Sequence, residues 1–194
     1  MIDTVALVGD SIRMSYQPYV AARLRSQFVW GPAANCESSR FLLRNLDRLV
    51  LDHLHDPALV HLNAGAHDVK RVESAAFNVQ VPIGEYRSNM AAVIATLRDH
   101  PRVAGVVVAT TTPVDDIRHK TLEWIRHNED VIAYNEALVD VAAAARCFIN
   151  DLYEEVRRCR FDPLSEDGIH FNETGKEYAG SRVAGYLKSL LAGS

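Results

Sequence analysis

Five short apolar runs rich in Val, Leu, Ile or Phe recur along this chain, at residues 4–8, 28–30, 58–63, 103–110 and 147–150, each bounded by polar or turn-forming residues. Runs of that length, without alternation of polar and apolar side chains, suit strands buried on both faces. Between them the apolar spacing changes to a helical period. Leu42, Leu46, Leu49 and Val50 share one face, as do Tyr86, Met90, Val93, Ile94 and Leu97, and later Ala179, Val183, Tyr186, Leu187 and Leu190. Buried strands that alternate with amphipathic helices form a parallel sheet with helices on each side. The expected class is therefore α/β, with three layers, α/β/α, around a five-stranded parallel sheet. The chain has 194 residues, 48% of them hydrophobic, and carries no internal repeat, low-complexity tract or linker, which predicts one domain over residues 1–194.

Ligands of an open parallel sheet bind beyond the carboxyl ends of its strands, and the residues that fall there are polar. The run Val5-Ala-Leu-Val8 ends on Gly9-Asp10-Ser11. Gly31-Pro-Ala-Ala-Asn-Cys-Glu-Ser-Ser39 follows the second run, Asn63-Ala-Gly-Ala-His-Asp68 the third, Thr110-Thr-Thr-Pro113 the fourth and Asp151 the fifth. Asp167-Gly-Ile-His170 precedes a helix expected to begin at Glu173 or Thr174. In a loop, an Asp three residues before a His can turn back and accept the Nδ1 proton, leaving Nε2 as base for a distant serine. Ser11, His170 and Asp167 are thus candidates for a catalytic triad. A Gly-Asp-Ser triplet alone is commonly a turn or a helix cap, and an Asp-x-x-His alone is commonly solvated; their joint placement is the signal.

These residues resemble the SGNH, or GDSL-type, serine hydrolases, whose four blocks contribute Ser, Gly, Asn and His. Val8-Gly-Asp-Ser-Ile12 is similar to the first block, and Asp167-Gly-Ile-His170 matches the last. The resemblance spans the chain from its first strand to its last helix and implies a flavodoxin-like sheet. It implies a serine esterase: Ser11 attacks an ester carbonyl, His170 carries the proton, Asp167 orients the imidazole, and water hydrolyses the acyl-enzyme. It also implies an oxyanion hole made by the Ser11 N–H, a backbone N–H in the loop after the second strand, and a side-chain donor after the third. The loop donor aligns with Cys36, with Glu37 as the alternative register. The third block reads Gly65-Ala66-His67-Asp68, so His67 stands where the family has its Asn, and a neutral imidazole still carries one N–H. No cofactor is implied, and the partner is a small-molecule ester. A short, acetyl-like acyl group is expected because no apolar segment suggests an acyl tunnel or a membrane-facing lid.

Several classes are disfavoured. The formal net charge is −4 and the basic residues are scattered, so a nucleic-acid partner is not expected. No apolar run is long enough to cross a bilayer and no secretory pattern opens the sequence, which makes the cytoplasm the expected compartment. Cys36, Cys147 and Cys159 have no paired spacing for zinc or a disulfide framework. His53, His55, His61, His100, His119 and His127 show no ligand spacing, so no metal site is expected, and most of them read as solvated or capping residues. Asp10 and Asp68 read as structural carboxylates that accept backbone N–H bonds. Residues 70–83 and 111–127 lack a clear period and are candidate pocket walls. Within the second, Asp115, Asp116, Arg118, His119, Lys120, Trp124 and Arg126 fit a charged lid and an exposed helix start equally. Two rivals remain: an acyltransferase or thioesterase using the same acyl-enzyme, and a non-catalytic module that binds an anion at the helix start after Ser11. Oligomeric state is not legible.

Overall fold

The computed structural model describes residues 2–72, 78–119 and 124–192. In chain order the strands are β1 (Thr4–Val8), β2 (Phe28–Trp30), β3 (Ala58–Asn63), β4 (Arg71–Val72), β5 (Val103–Ala109), β6 (Trp124–Ile125) and β7 (Phe148–Asn150). The helices are α1 (Ser11–Arg23), α2 (Ser39–Leu49), α3 (Ile83–Asp99), α4 (Asp116–His119), α5 (Asn128–Ala144), α6 (Leu152–Arg157) and α7 (Glu173–Leu191).

β1 and β3 are buried along their whole length, as their largely apolar sequences suit. Each buried Leu or Val there contributes about 1.5–3 kcal/mol of transfer free energy, which places these two strands at the centre of the sheet. All pairings in the main sheet are parallel, in the order β2-β1-β3-β5-β7. This is the flavodoxin-like order, whose direction of growth reverses between β1 and β3 and opens a crevice at their carboxyl ends. The α/β architecture expected from the sequence is therefore the one observed.

Two helices set the crevice. α1 starts directly after β1, capped by Asp10, whose Oδ1 accepts from the Ile12 N–H at 2.9 Å. α7 starts at the expected Glu173, capped by Asn172, which accepts from the Gly175 N–H at 2.9 Å. The two helices pack side by side, and Gly180 permits the close approach: a Cβ there would lie 2.5 Å from Tyr19 Cβ and 3.0 Å from the Tyr16 carbonyl. Their amino-terminal ends, and so Ser11 and His170, meet at the crevice.

The two aperiodic segments hold a piece of regular structure. β4 pairs antiparallel with β6, Arg71 opposite Ile125 and Val72 opposite Trp124, and Arg71 reaches Asp130 with two bonds of 2.9 Å. Two-residue strands are too short to show a period. The stretches 73–77 and 120–123, Lys120 included, lie outside the described residues. No helix among the described residues is long and apolar enough to cross a membrane.

His61 and His119 stand apart from the solvated or capping majority, since both are fully buried. His61 faces Asn150, with Nδ2 to Nε2 at 3.1 Å, and burial pushes its imidazole down to about 4. An unfolded histidine takes its proton near 6.5, so between there and about 4 the unfolded chain binds more protons and stability is lost as pH falls. His61→Gln keeps an acceptor for Asn150 without the proton. Urea unfolding across that window should therefore show a shallower loss of stability on acidification for His61→Gln than for the wild type.

Candidate active site

The Asp167-Gly-Ile-His170 turn closes on its own carboxylate. Asp167 Oδ1 accepts from Ser165 Oγ at 2.8 Å, the Ile169 N–H at 3.0 Å and the His170 N–H at 2.9 Å. Gly168 has φ +71°, and a Cβ there would lie 2.9 Å from both Arg118 Cβ and the Asp115 carbonyl, so the turn requires glycine. Asp167 Oδ2 is left for His170 Nδ1, at 2.5 Å, and His170 Nε2 lies 2.9 Å from Ser11 Oγ. Burial alone would raise the Asp167 carboxyl, but the hydrogen bonds from the His170 ring, the two backbone amides and Ser165 outweigh it and hold the group well below the usual carboxylate range. A charged Asp167 fixes the proton of neutral His170 on Nδ1 and leaves Nε2 to accept from Ser11.

Ser11 begins α1, and its backbone N–H has no hydrogen-bond partner among the described residues, as expected in the first turn of a helix. Ser11 and His170 open into a cavity of about 250 Å³ that Asn35, His67, Lys70, Trp124 and Arg126 also line. His67 lies on this wall. Burial, followed by Arg126, Lys70 and His170, pushes its imidazole down to about 4, so it is neutral at ordinary pH. Its ring makes no hydrogen bond to any described residue, which leaves one N–H to offer.

Cys36 is a correction. Its side chain is buried and its backbone N–H donates to the Gly9 carbonyl at 3.3 Å, so this donor is spent within the protein and Cys36 does not line the cavity. The alternative, the Glu37 N–H, is bound to Asn35 Oδ1 at 2.7 Å. The loop faces the cavity through Asn35, whose Nδ2 remains unused among the described residues. Arg13 explains this arrangement: it is buried and donates Nη2 to the carbonyls of Gly9, Pro32 and Ala34 at 3.1, 3.0 and 3.4 Å, tying the loop to α1.

Sequence reasoning also missed Arg126 as a specific cavity residue. It is buried, with Nε donating to the Ala66 carbonyl at 2.5 Å and Nη1 to His119 Nε2 at 2.9 Å. His119 Nδ1 donates in turn to the Asp167 carbonyl at 2.8 Å. The only signal was the basic and aromatic character of 118–126. Among the described residues no group of three or more His, Cys, Asp or Glu could hold a metal ion.

Asp68 is buried and accepts from the Ser39 N–H at 3.0 and 3.1 Å and from Ser39 Oγ at 2.5 Å, which anchors the start of α2 to the loop after β3. Burial pushes its carboxyl up to about 7 against those bonds.

A serine, an imidazole and a carboxylate aligned at the switch point of a flavodoxin-like sheet define the class to which this arrangement belongs, a nucleophile site of triad form. A sequence model of the GDSL-like Lipase/Acylhydrolase family matches residues 7–178, and the chain belongs to that family. It is 24% identical over 147 residues to a GDSL esterase/lipase of Arabidopsis thaliana, a match that covers 68% of this chain and 59% of that protein, so the chain spans less than two thirds of the curated relative's length. Among solved structures it is similar to a lipase/acylhydrolase from Enterococcus faecalis, at TM-score 0.74 and 19% identity, covering 97% of this chain and 96% of the other. It is also similar to the acetyl xylan esterase AlAXEase, at TM-score 0.75 and 18% identity, covering 95% and 99%.

Asp68→Ala leaves the buried Ser39 N–H and hydroxyl without an acceptor and should cost about 1–3 kcal/mol of stability, read as a lowered urea midpoint. A collapse of activity at unchanged stability would instead mark Asp68 as a participant in the chemistry.

Proposed function

We propose that the protein is a serine esterase that hydrolyses a carboxylic ester of a short acyl group through an acyl-enzyme on Ser11. The observation that carries the proposal is the continuous line from Ser11 Oγ to His170 Nε2, 2.9 Å, and from His170 Nδ1 to Asp167 Oδ2, 2.5 Å, opening into a cavity. Ser11 Oγ forms a bond to the ester carbonyl carbon while its proton passes to His170. The tetrahedral intermediate expels the alcohol oxygen, which takes that proton. Water, deprotonated by His170, then attacks the acyl-enzyme, and the acid leaves as Ser11 recovers its proton.

The developing oxyanion is held by the Ser11 N–H and the neutral His67 ring, with the Asn35 Nδ2 as a further donor in the same cavity. His67 is unsuited to a second base, because it has no carboxylate partner among the described residues and burial keeps its basicity low. A short acyl group is favoured because about 250 Å³ lies below the range of roughly 300–1,000 Å³ that accommodates larger ligands. A neighbour of the same architecture being an acetyl xylan esterase agrees with that preference.

On p-nitrophenyl acetate, Ser11→Ala and His170→Ala should each lower kcat by about 10⁴-fold or more, with the fold retained by circular dichroism. Residual activity near wild type in either variant would defeat the proposal. His67→Ala should lower kcat by about a hundredfold or more, and His67→Asn should recover part of that loss by restoring an N–H. Equal kcat for wild type and a folded His67→Ala would remove His67 from the oxyanion hole.

A further inference from the structure

Among the described residues, two cations and no carboxylate line the cavity beside Ser11. Arg126 and Lys70 both face it, and no Asp or Glu is among its described lining residues. This local sign stands against a chain whose formal net charge is −4.

Several arginines nearer the surface pair with carboxylates. Arg40 meets Glu85 at 2.6 Å, Arg71 meets Asp130 at 2.8 Å, and Arg118 meets Asp115 and Asp162 at 2.9 Å. Arg13, though buried, spends one nitrogen on three loop carbonyls. Arg126 does neither. It is 6% exposed, has no carboxylate within ion-pair distance among the described residues, and uses only Nε and Nη1, leaving Nη2 without a described partner. Burying a cation without a matching anion is unfavourable unless something else supplies the charge. Burial pushes Arg126 down to about 10, with Asp10 and Asp167 offsetting the effect from a distance, so it is charged at neutral pH.

Its position is also fixed. His119 must donate its Nδ1 proton to the Asp167 carbonyl, since a carbonyl only accepts, and its Nε2 is then the acceptor that holds Arg126 Nη1. The Ala66 carbonyl holds Nε. Lys70 also lines the cavity, with its Nζ 4.4 Å from the centroid of the Trp124 ring, an ammonium placed over an aromatic face without a carboxylate partner among the described residues. A preorganised guanidinium whose Nη2 has no described partner, with a second cation lining the same cavity, suits recognition of an anionic group.

Resting on the esterase reading of the same site, we infer that the natural ester carries a negatively charged group, a carboxylate or similar anion, near its scissile carbonyl, and that Arg126 and Lys70 receive it. The anion can sit on the acyl side or on the alcohol side, and matched pairs separate the two. p-Nitrophenyl hemisuccinate against p-nitrophenyl butyrate varies charge on the acyl side; p-acetoxybenzoate against its methyl ester varies it on the leaving-group side.

For the wild type, kcat/KM should be about tenfold or more higher for the anionic member of one pair, with a KM that rises with ionic strength. Arg126→Gln and Lys70→Gln should each reduce that preference several-fold, the loss falling mainly on the anionic ester. Lys70 is half-buried, so its variant carries the test should Arg126→Gln not fold. Neutral esters equal or preferred in both pairs would overturn the inference. So would variants that lower both members of the preferred pair in proportion, the result expected if Arg126 only braces the site or only stabilises the oxyanion. Ser11-dependent hydrolysis without charge preference removes this inference and leaves the esterase reading intact, whereas hydrolysis of none of the four esters removes both.

Discussion

Asp167 accepts four hydrogen bonds through its carboxylate and a fifth through its backbone carbonyl. One carboxylate oxygen closes the turn, the other fixes the His170 ring, and the carbonyl fixes His119, which in turn holds Arg126. The histidine facing Ser11 and the guanidinium on the cavity wall are therefore positioned by a single residue. The cost of half-burying this carboxylate is offset by the donors that meet it, two of them backbone amides fixed by the turn itself.

The sheet supplies the other half of the arrangement. Because growth reverses between β1 and β3, the loops that follow these strands diverge and leave room for Ser11 on one side and His67 on the other. Packing of α1 along α7 then fixes the distance between Ser11 and His170. Around them lie charges that a core would ordinarily avoid. Asp10 is fully buried with its Oδ2 lacking a partner among the described residues, and burial raises its carboxyl. Arg13 is buried with Nε in the same condition. Local rules are broken here, the pattern expected where a site takes precedence over stability.

Much of this was legible in the sequence. The buried strands announced themselves by apolar runs, and the Asp-x-x-His spacing required only a turn. The elements that escaped did so for physical reasons. The period of α1 is obscured because its buried face includes Arg13 and its interior contains Pro18. The pairing of β4 with β6 rests on two residues from each segment, too few for any pattern. Cys36 was the natural donor by alignment with a glycine block, but the direction of its N–H depends on Arg13 drawing the loop carbonyls toward α1, a long-range contact that no local spacing records. Arg126 and His119 are buried by tertiary structure from a stretch whose composition suits an exposed helix equally well.

The proposed chemistry requires Ser11, and no other group, to be the activated nucleophile. Incubation of the folded protein with a fluorophosphonate, followed by mass mapping of peptides, tests it most directly. A single adduct, on Ser11, that forms far more slowly in His170→Ala is expected. An adduct on Cys36 or on another serine, or no adduct on protein that is hydrolysing ester, would contradict it.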